Sequence, residues 1–489
     1  MTFPRWAIVW ALVLSPAAGS PAAAADSYPI EFKVGSGDDA ALMADADLHG
    51  RFREVETGLR LALEARPNVA GGDPLAPATQ GLFSRESLGF SAAWSPADRT
   101  RFDLSVGDDL GQTWSYLSPL VVGVRQINTD SRTASLGVTF KPSAVVDLNL
   151  VGASAQNSVQ DALAGQGAGQ VVPRTPSLFI TTTQSATAGL RWRPFTWLDF
   201  DAKGRVEASA AQWRGGGSAA GVADASLNYA DVEPALTGAV TMPWNGALGL
   251  TFEHAVSPVN AQLFSTFAAV TDRSAGVRFG PDREWRYRLQ FKQKLAGGAS
   301  LSATLTQARI ENATELGPVG GGLQAPMSVS GGDRQAVEVT LSAPLAILGL
   351  PSLTLQGAGA WRGSQVRDPF TGDLRQASAE TPRAASLGLV QALAGRRARW
   401  GVEGRFGGGQ ALYQMSQVTQ IQVADSVGGF VEYVPGPFAL RLQVDGLYGG
   451  DRSYTDFLYS APRGTGSVDR IDHRSDSGQA VRLILRKSL

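Results

Sequence analysis

Acid–base and nucleophilic chemistry near neutral pH draws first on histidine. The 489-residue chain has three histidines, His49, His254 and His473. His254 lies in "FEHAVSP", three residues before Ser257. A His–Ser pair can activate a hydroxyl nucleophile. A serine at this spacing is common by chance, however, and no G-x-S-x-G elbow, P-loop or H-E-x-x-H motif accompanies it. "SVDRIDHRSD" gathers Ser467, Asp469, Asp472 and His473 in a polar stretch that reads as a solvated loop. "GSGDDAALMADADLHG" carries Asp38, Asp39, Asp45, Asp47 and His49. Such oxygen ligands can hold calcium, but the spacing departs from an EF-hand loop and no glutamate closes it. The chain contains no cysteine, so thiolate metal sites are excluded. No catalytic residue, metal or cofactor is expected, and the chain does not read as an enzyme. Forty-three Lys+Arg against 44 Asp+Glu leave a net charge of −1, which predicts no nucleic acid partner.

The larger chemical resource is a set of charges at alternate positions. In "GLRWRPFTWLDFDAKGR" Arg191 and Arg193 alternate with Leu190 and Trp192. After a proline bend, Asp199, Asp201 and Lys203 alternate with Leu198, Phe200 and Ala202. Arg286, Arg288 and Lys292 likewise share a face opposite Trp285, Tyr287, Leu289 and Phe291. Arg60, Glu64, Glu403, Arg405, Arg441, Asp445, Arg482 and Arg486 occupy equivalent places in other segments. Lining a wet path, such charges would set selectivity, and rings of basic charge favour anions. Paired with one another, they would brace a wall. Arg441, Arg482 and Arg486 make the end of the chain locally basic, which points toward anionic solutes.

Alternation with a period of two is the signature of strands with two distinct faces. Eight hairpins of this kind begin at Ser87, Ala134, Gly189, Ala235, Trp285, Gln335, Ala385 and Gly428, spaced by roughly 50 residues. Many bend at a proline, among them Pro96, Pro142, Pro194, Pro243, Pro344 and Pro435. Single strands from Thr57 and from Gln479 flank them, giving about 18 strands. Stretches from Leu120 and Ala261 could add more, so the range is about 16–22. Long Gly/Ser/Asn-rich segments, such as those from Ser154 and Arg309, separate the hairpins, so short turns lie at one end and long loops at the other.

A soluble sheet needs a covering layer, and no amphipathic helix is evident to supply one. Two stacked sheets could supply it, but three features oppose a sandwich. The apolar part of each strand runs about 9–11 residues, the length that crosses a bilayer at barrel tilt. Trp94, Phe140, Trp192, Trp197, Trp244, Trp400 and Tyr433 cluster beside the short turns, where an interfacial girdle belongs. The second face is charged, and a lipid-facing charge at mid-depth costs about 2–4 kcal/mol. The fold class is therefore all-β, a closed antiparallel transmembrane β-barrel.

At the N-terminus Arg5 precedes "WAIVWALVL" and then small residues ending in Ala23-Ala24-Ala25, the order of a secretory signal peptide. The expected organisation is 1–25 signal peptide, 26–56 short periplasmic leader and 57–489 barrel. The leader offers a place for a periplasmic partner, or a small stopper in the lumen.

The last sixty residues narrow the class. "FVEYVPGPFALRLQVDGLYGGDRSYTDFLYSAPRG" followed by "VRLILRKSL" resembles the closing strands of TonB-dependent outer-membrane receptors. The resemblance implies an outer-membrane β-barrel of a Gram-negative bacterium, with outer-membrane lipid around it and small solutes as partners. Members carry a plug domain of over a hundred residues and usually end in an aromatic. Here about 30 residues precede the strand at Thr57, and Leu489 ends the chain. The expectation is thus a barrel lacking the plug, the part through which the family couples to TonB. It would pass solutes, anionic or saccharide, through a charged lumen. The alternative is a non-conducting barrel that binds a surface or envelope-assembly partner.

Overall fold

The computed structural model describes residues 29–488 except 37–41, 53, 71–78, 117–121, 168–169, 174–176, 216–223, 269–276, 321–322, 351, 394, 396, 437, 464–465 and 476–478. The expected signal peptide lies outside the described residues. The first strands are β1 (Pro29–Ser36), β2 (Leu42–Phe52), β3 (Val55–Ala70), β4 (Thr79–Ala97), β5 (Thr100–Tyr116), β6 (Val122–Ser143), β7 (Val146–Gly167) and β8 (Gln170–Pro173). Next come β9 (Ser177–Phe195), β10 (Leu198–Arg214), β11 (Ala225–Met242) and β12 (Gly246–Ser257). A helix, α1 (Ala261–Ala268), precedes β13 (Asp282–Lys294), β14 (Ser300–Gly320), β15 (Leu323–Pro344) and β16 (Leu353–Arg367). Then follow β17 (Leu374–Arg375), β18 (Arg383–Leu393), β19 (Ala398–Phe406), β20 (Gly409–Tyr413) and β21 (Gln417–Val423). The last are β22 (Ser426–Tyr433), β23 (Phe438–Gly449), β24 (Arg452–Tyr459), β25 (Val468–Ser475) and β26 (Ala480–Ser488).

Every pairing is antiparallel between neighbours in the chain's up-and-down path, and β1 pairs along its whole length with β26. The ladder of pairings is therefore cyclic. Among the described residues twenty strands make the ring. β8 and β17 are short additions to the ends of β7 and β16, and β20, β21, β24 and β25 form a separate four-stranded sheet built from two loops.

The ring differs from the expected 18 strands by β1 and β2, which fall inside the expected leader. Both alternate: Ile30, Phe32 and Val34 against Glu31 and Lys33, then Leu42, Ala44, Ala46 and Leu48 against Asp45, Asp47 and His49. Asp45, Asp47 and His49, weighed above as calcium ligands, lie on strand β2. The stretch from Leu120 is the start of one 22-residue strand, β6, rather than an extra one. The stretch from Ala261 is helical. Asn260 caps it, its side-chain oxygen accepting from the Leu263 amide at 3.1 Å, and Phe264 and Ala268, four apart, are buried on one face.

The two faces of the ring differ in the way the alternation requires. Leu250, Leu289, Leu305, Val337 and Trp361 stand side by side across β12–β16 and are open to the outside. The adjacent row, Thr251, Arg288, Thr306, Ala336 and Arg362, faces the other way. Trp94, Phe140, Trp192, Trp197, Trp244 and Tyr433, all near short turns, are also open to the outside. A continuous exposed apolar belt would drive association in water. Against hydrocarbon it is the stable surface, and a ring without edges leaves no strand unpaired there. No described helix is long and apolar enough to cross a membrane.

This assignment of faces is directly testable. Leu289→Arg should destabilise the barrel in lipid vesicles by about 2–4 kcal/mol in denaturant unfolding. Gln290→Arg, one residue on, should cost far less. Equal costs would show the faces to be wrongly assigned.

Candidate functional site

Antiparallel register brings the charges of neighbouring strands level with each other, and on the inward face almost all of them pair. Arg191 donates through Nε to both Asp199 oxygens at 2.9 and 3.0 Å. Arg193 reaches Asp147 at 2.7 Å and Lys203 reaches Asp201 at 3.1 Å. Arg405 pairs with Glu403 at 3.2 Å, and Arg482 with Asp445 at 3.6 Å. Arg441 lies over the Phe430 ring at 3.7 Å. Lys292 is exposed and has no ion-pair partner among the described residues. Arg486 stands opposite Glu31 on one side and Ala439 on the other. By register Arg286, Arg288 and Lys292 fall on the face opposite the apolar belt, and of the basic run at the end of the chain Arg482 is offset by Asp445 on an adjacent strand.

Three acids outside the set picked out by alternation, Glu253, Glu284 and Glu380, extend the pairing. Glu253 binds Arg288 at 2.9 Å and Arg286 at 3.6 Å. Arg286 also pairs with Glu284, which holds Arg334 at 2.8 Å, and Arg334 lies 3.6 Å from Glu380. Charges of opposite sign thus alternate from Arg288 on the wall to Glu380 in the β16–β18 loop. No single strand carries this chain, so no local pattern could announce it.

At the long-loop end two segments fold inward. Helix α1 packs Phe264 and Ala268 against the inward side chains Phe179, Ala211 and Trp213. The β16–β18 loop is fastened by a buried ionic knot. Asp368 accepts from Arg463 at 2.6 and 3.0 Å, from Arg375 at 2.6 Å and from the Phe370 amide at 2.8 Å. Arg375 also donates to Glu315 at 3.0 Å, and Glu315 accepts from the Ser378 amide and hydroxyl at 2.8 and 2.6 Å. The Tyr413 ring sits 4.1 Å from the Arg375 guanidinium. Two acids meet two bases, so a desolvated cluster is neutral and hydrogen-bonded. Burial alone would raise the Asp368 pKa, but the bonds from Arg463, the Phe370 amide and Arg375 outweigh it and hold the carboxyl below its usual value of 3.8. The three segments involved are distant in sequence, and nothing local marked Asp368, Arg375 or Arg463 as partners.

The histidines find other neighbours than the sequence offered. His254 Nε2 is 3.3 Å from Glu311 and its ring lies 4.7 Å from Trp285. Ser257, an odd number of residues away on the same strand, belongs to the opposite face, so the two form no pair. Ser467 bonds Ser460 at 3.0 Å, whereas His473 lies 3.5 Å from Asp456. Both Ser467 and Asp469 to Ser475 border or form strand β25 rather than a loop. Asp38 and Asp39 lie outside the described residues. Among the described residues no cluster could hold a metal ion.

One part of the inward wall recedes. Across β16, β18, β19 and β22 the row Gln356, Gly388, Glu403, Gly428 lies beside the row Ala358, Ser386, Arg405, Ser426. Small residues at every second place leave a cavity of about 520 Å³. A second cavity of about 650 Å³ shares Arg399 and continues to Val434 and Gly436 at the short-turn end. Both fall within the range of small-molecule sites, roughly 300–1,000 Å³. Together they form a groove running along the strands.

No protein-family model matches the chain, and no curated protein matches it. Solved structures do. The ferric yersiniabactin uptake receptor FyuA from Yersinia pestis is 12% identical, with a TM-score of 0.67 over 96% of this chain and 81% of that one. The ferric citrate transporter FecA gives 11% identity and a TM-score of 0.67 over 96% and 79%. The copper transporter OprC gives 12% and 0.63 over 96% and 81%. At such identity the likeness establishes the fold alone, the β-barrel that these receptors and transporters share.

The knot yields a prediction. Arg463→Leu leaves Asp368 buried with half its cationic partners gone, at a cost of about 3–5 kcal/mol, and should expose the 368–382 loop to protease. In the native chain the Asp368 pKa is depressed, so its contribution is complete above about pH 4 and is lost as pH falls through the lower folded value. Protection of the loop should therefore decline in that acid range. Protection unchanged in the variant and in acid would remove the knot as the fastening.

Proposed function

We propose that the chain is an outer-membrane β-barrel that passes small solutes through a charged lumen, exported by residues 1–25 as a signal peptide and working without a separate plug domain. The observation that carries this reading is the cyclic ladder with an apolar belt outside and an ion-paired polar face within. Water must meet the second face, because charges turned to lipid would each cost about 2–4 kcal/mol. A twenty-strand ring is wide enough for an aqueous channel. The solved neighbours support a transport role over an enzymatic one, being named for uptake of ferric yersiniabactin or for transport of ferric citrate or copper. The solute here is anionic or saccharide, moving by diffusion or through a gate.

A second reading, a non-conducting barrel that binds an envelope partner, draws on α1 and the β16–β18 loop, which occupy the long-loop end, and on the extra four-stranded sheet. Planar-bilayer recording separates the two. The first requires ion-selective conductance; a sealed barrel that co-purifies with a partner supports the second. Arg288 and Lys292 sharpen the test. Arg288→Gln weakens the hold on Glu253 and Lys292→Gln removes an unpaired cation, so reversal potentials should move toward cation preference for both. No movement in either variant would count against these residues facing the path.

A further inference from the structure

The groove between β16 and β23 has features that select a class of ligand. Its depth comes from missing side chains. At Gly388 an added Cβ would meet the Val402 carbonyl at 3.6 Å and the Gln356 carbonyl and Glu403 Cγ at 4.0 Å, ordinary contacts, so the space is real and the backbone does not require glycine there. Its length follows the strands, from Ser426 toward the β22–β23 turn. An extended ligand fits such a shape better than a compact one.

Its charges are already answered. Arg399 is held by Glu432 at 2.6 and 3.0 Å, Arg405 by Glu403 at 3.2 and 3.4 Å, and Asp445 faces Arg482 at 3.6 Å. The Arg441 guanidinium covers the Phe430 ring and fills the place a ligand cation would take. An ion entering beside Arg399, Arg405 or Asp445 would have to break existing pairs. What the groove leaves on offer is groups that both donate and accept. The Gln356 amide has no hydrogen-bond partner among the described residues, and the Ser386 and Ser426 hydroxyls line the same space. Amides and hydroxyls match ligand hydroxyls, which also do both.

We propose that this groove is a subsite for a neutral, linear, polyhydroxylated chain, an oligosaccharide, in preference to an anion. The proposal rests on the solute-passage reading for how the ligand arrives, but its binding can be measured apart from passage. Titration calorimetry of the detergent-solubilised full chain uses maltotriose as probe and trigalacturonate as the anionic counterpart. Saturable maltotriose binding is expected, with trigalacturonate at least about tenfold weaker. Gly388→Leu fills the floor and should weaken maltotriose at least about tenfold, while Gln356→Ala, at an exposed position that carries no packing, should weaken it several-fold. Gly89→Leu, which adds the same bulk to the inward face of β4 away from the groove, should bind as the native chain does. Mobility of unboiled samples on gels reports folding of each variant. Absence of maltotriose binding, tighter binding of trigalacturonate, or native affinity in both Gly388→Leu and Gln356→Ala overturns the proposal. Bilayer conductance separates the two readings: binding without conductance leaves the subsite standing and removes the passage, and conductance without binding does the reverse.

Discussion

A strand that crosses hydrocarbon must find partners for both of its edges. That demand falls hardest on the two ends of the chain, where no neighbour in sequence is waiting. Here the whole of β1 pairs with β26, joining residues more than four hundred positions apart. The entropic cost of such a closure grows only slowly with length, by about 0.6 kcal/mol per doubling. An open edge, by contrast, would leave a row of amides and carbonyls in oil at several kcal/mol each. Every other feature depends on this closure. It makes one face outer and one inner, and it turns the alternation of each strand into a belt outside and a lined interior.

Once the inner face exists, its charges lie level across strands, where opposite signs attract and like signs repel. The ladders Arg193–Asp147, Arg191–Asp199 and Arg288–Glu253–Arg286 are the outcome. A wall built this way is polar without carrying a strong net field. That is a different object from the basic lining suggested by Arg441, Arg482 and Arg486 taken alone, and it is the reason the groove suits a neutral partner.

The loops complete the interior in two styles. Helix α1 uses apolar contact with Phe179 and Trp213. The β16–β18 loop uses buried ions at Asp368, Arg375, Glu315 and Arg463, whose directional bonds fix one geometry. A neutral knot of this kind contributes specificity at least as much as stability, because each member left alone would be a buried unpaired charge.

Much of the ring was legible from period-two alternation. The hairpins from Ser87 through Gly428, the single strands from Thr57 and Gln479 and the outward aromatics at the turns follow from it. Two strands escaped because Asp45, Asp47 and His49 look like a ligand cluster when read for chemistry rather than for parity. Alternation is a property of one strand and needs only local sequence. Closure of β1 on β26, the acid that answers each base, the knot joining residues 315, 368, 375 and 463, and the groove floored by Gly388 and Gly428 are properties of strands set side by side. Register across the ring decides them, and register is a tertiary quantity because it depends on which residues, far apart in the chain, are brought level in space.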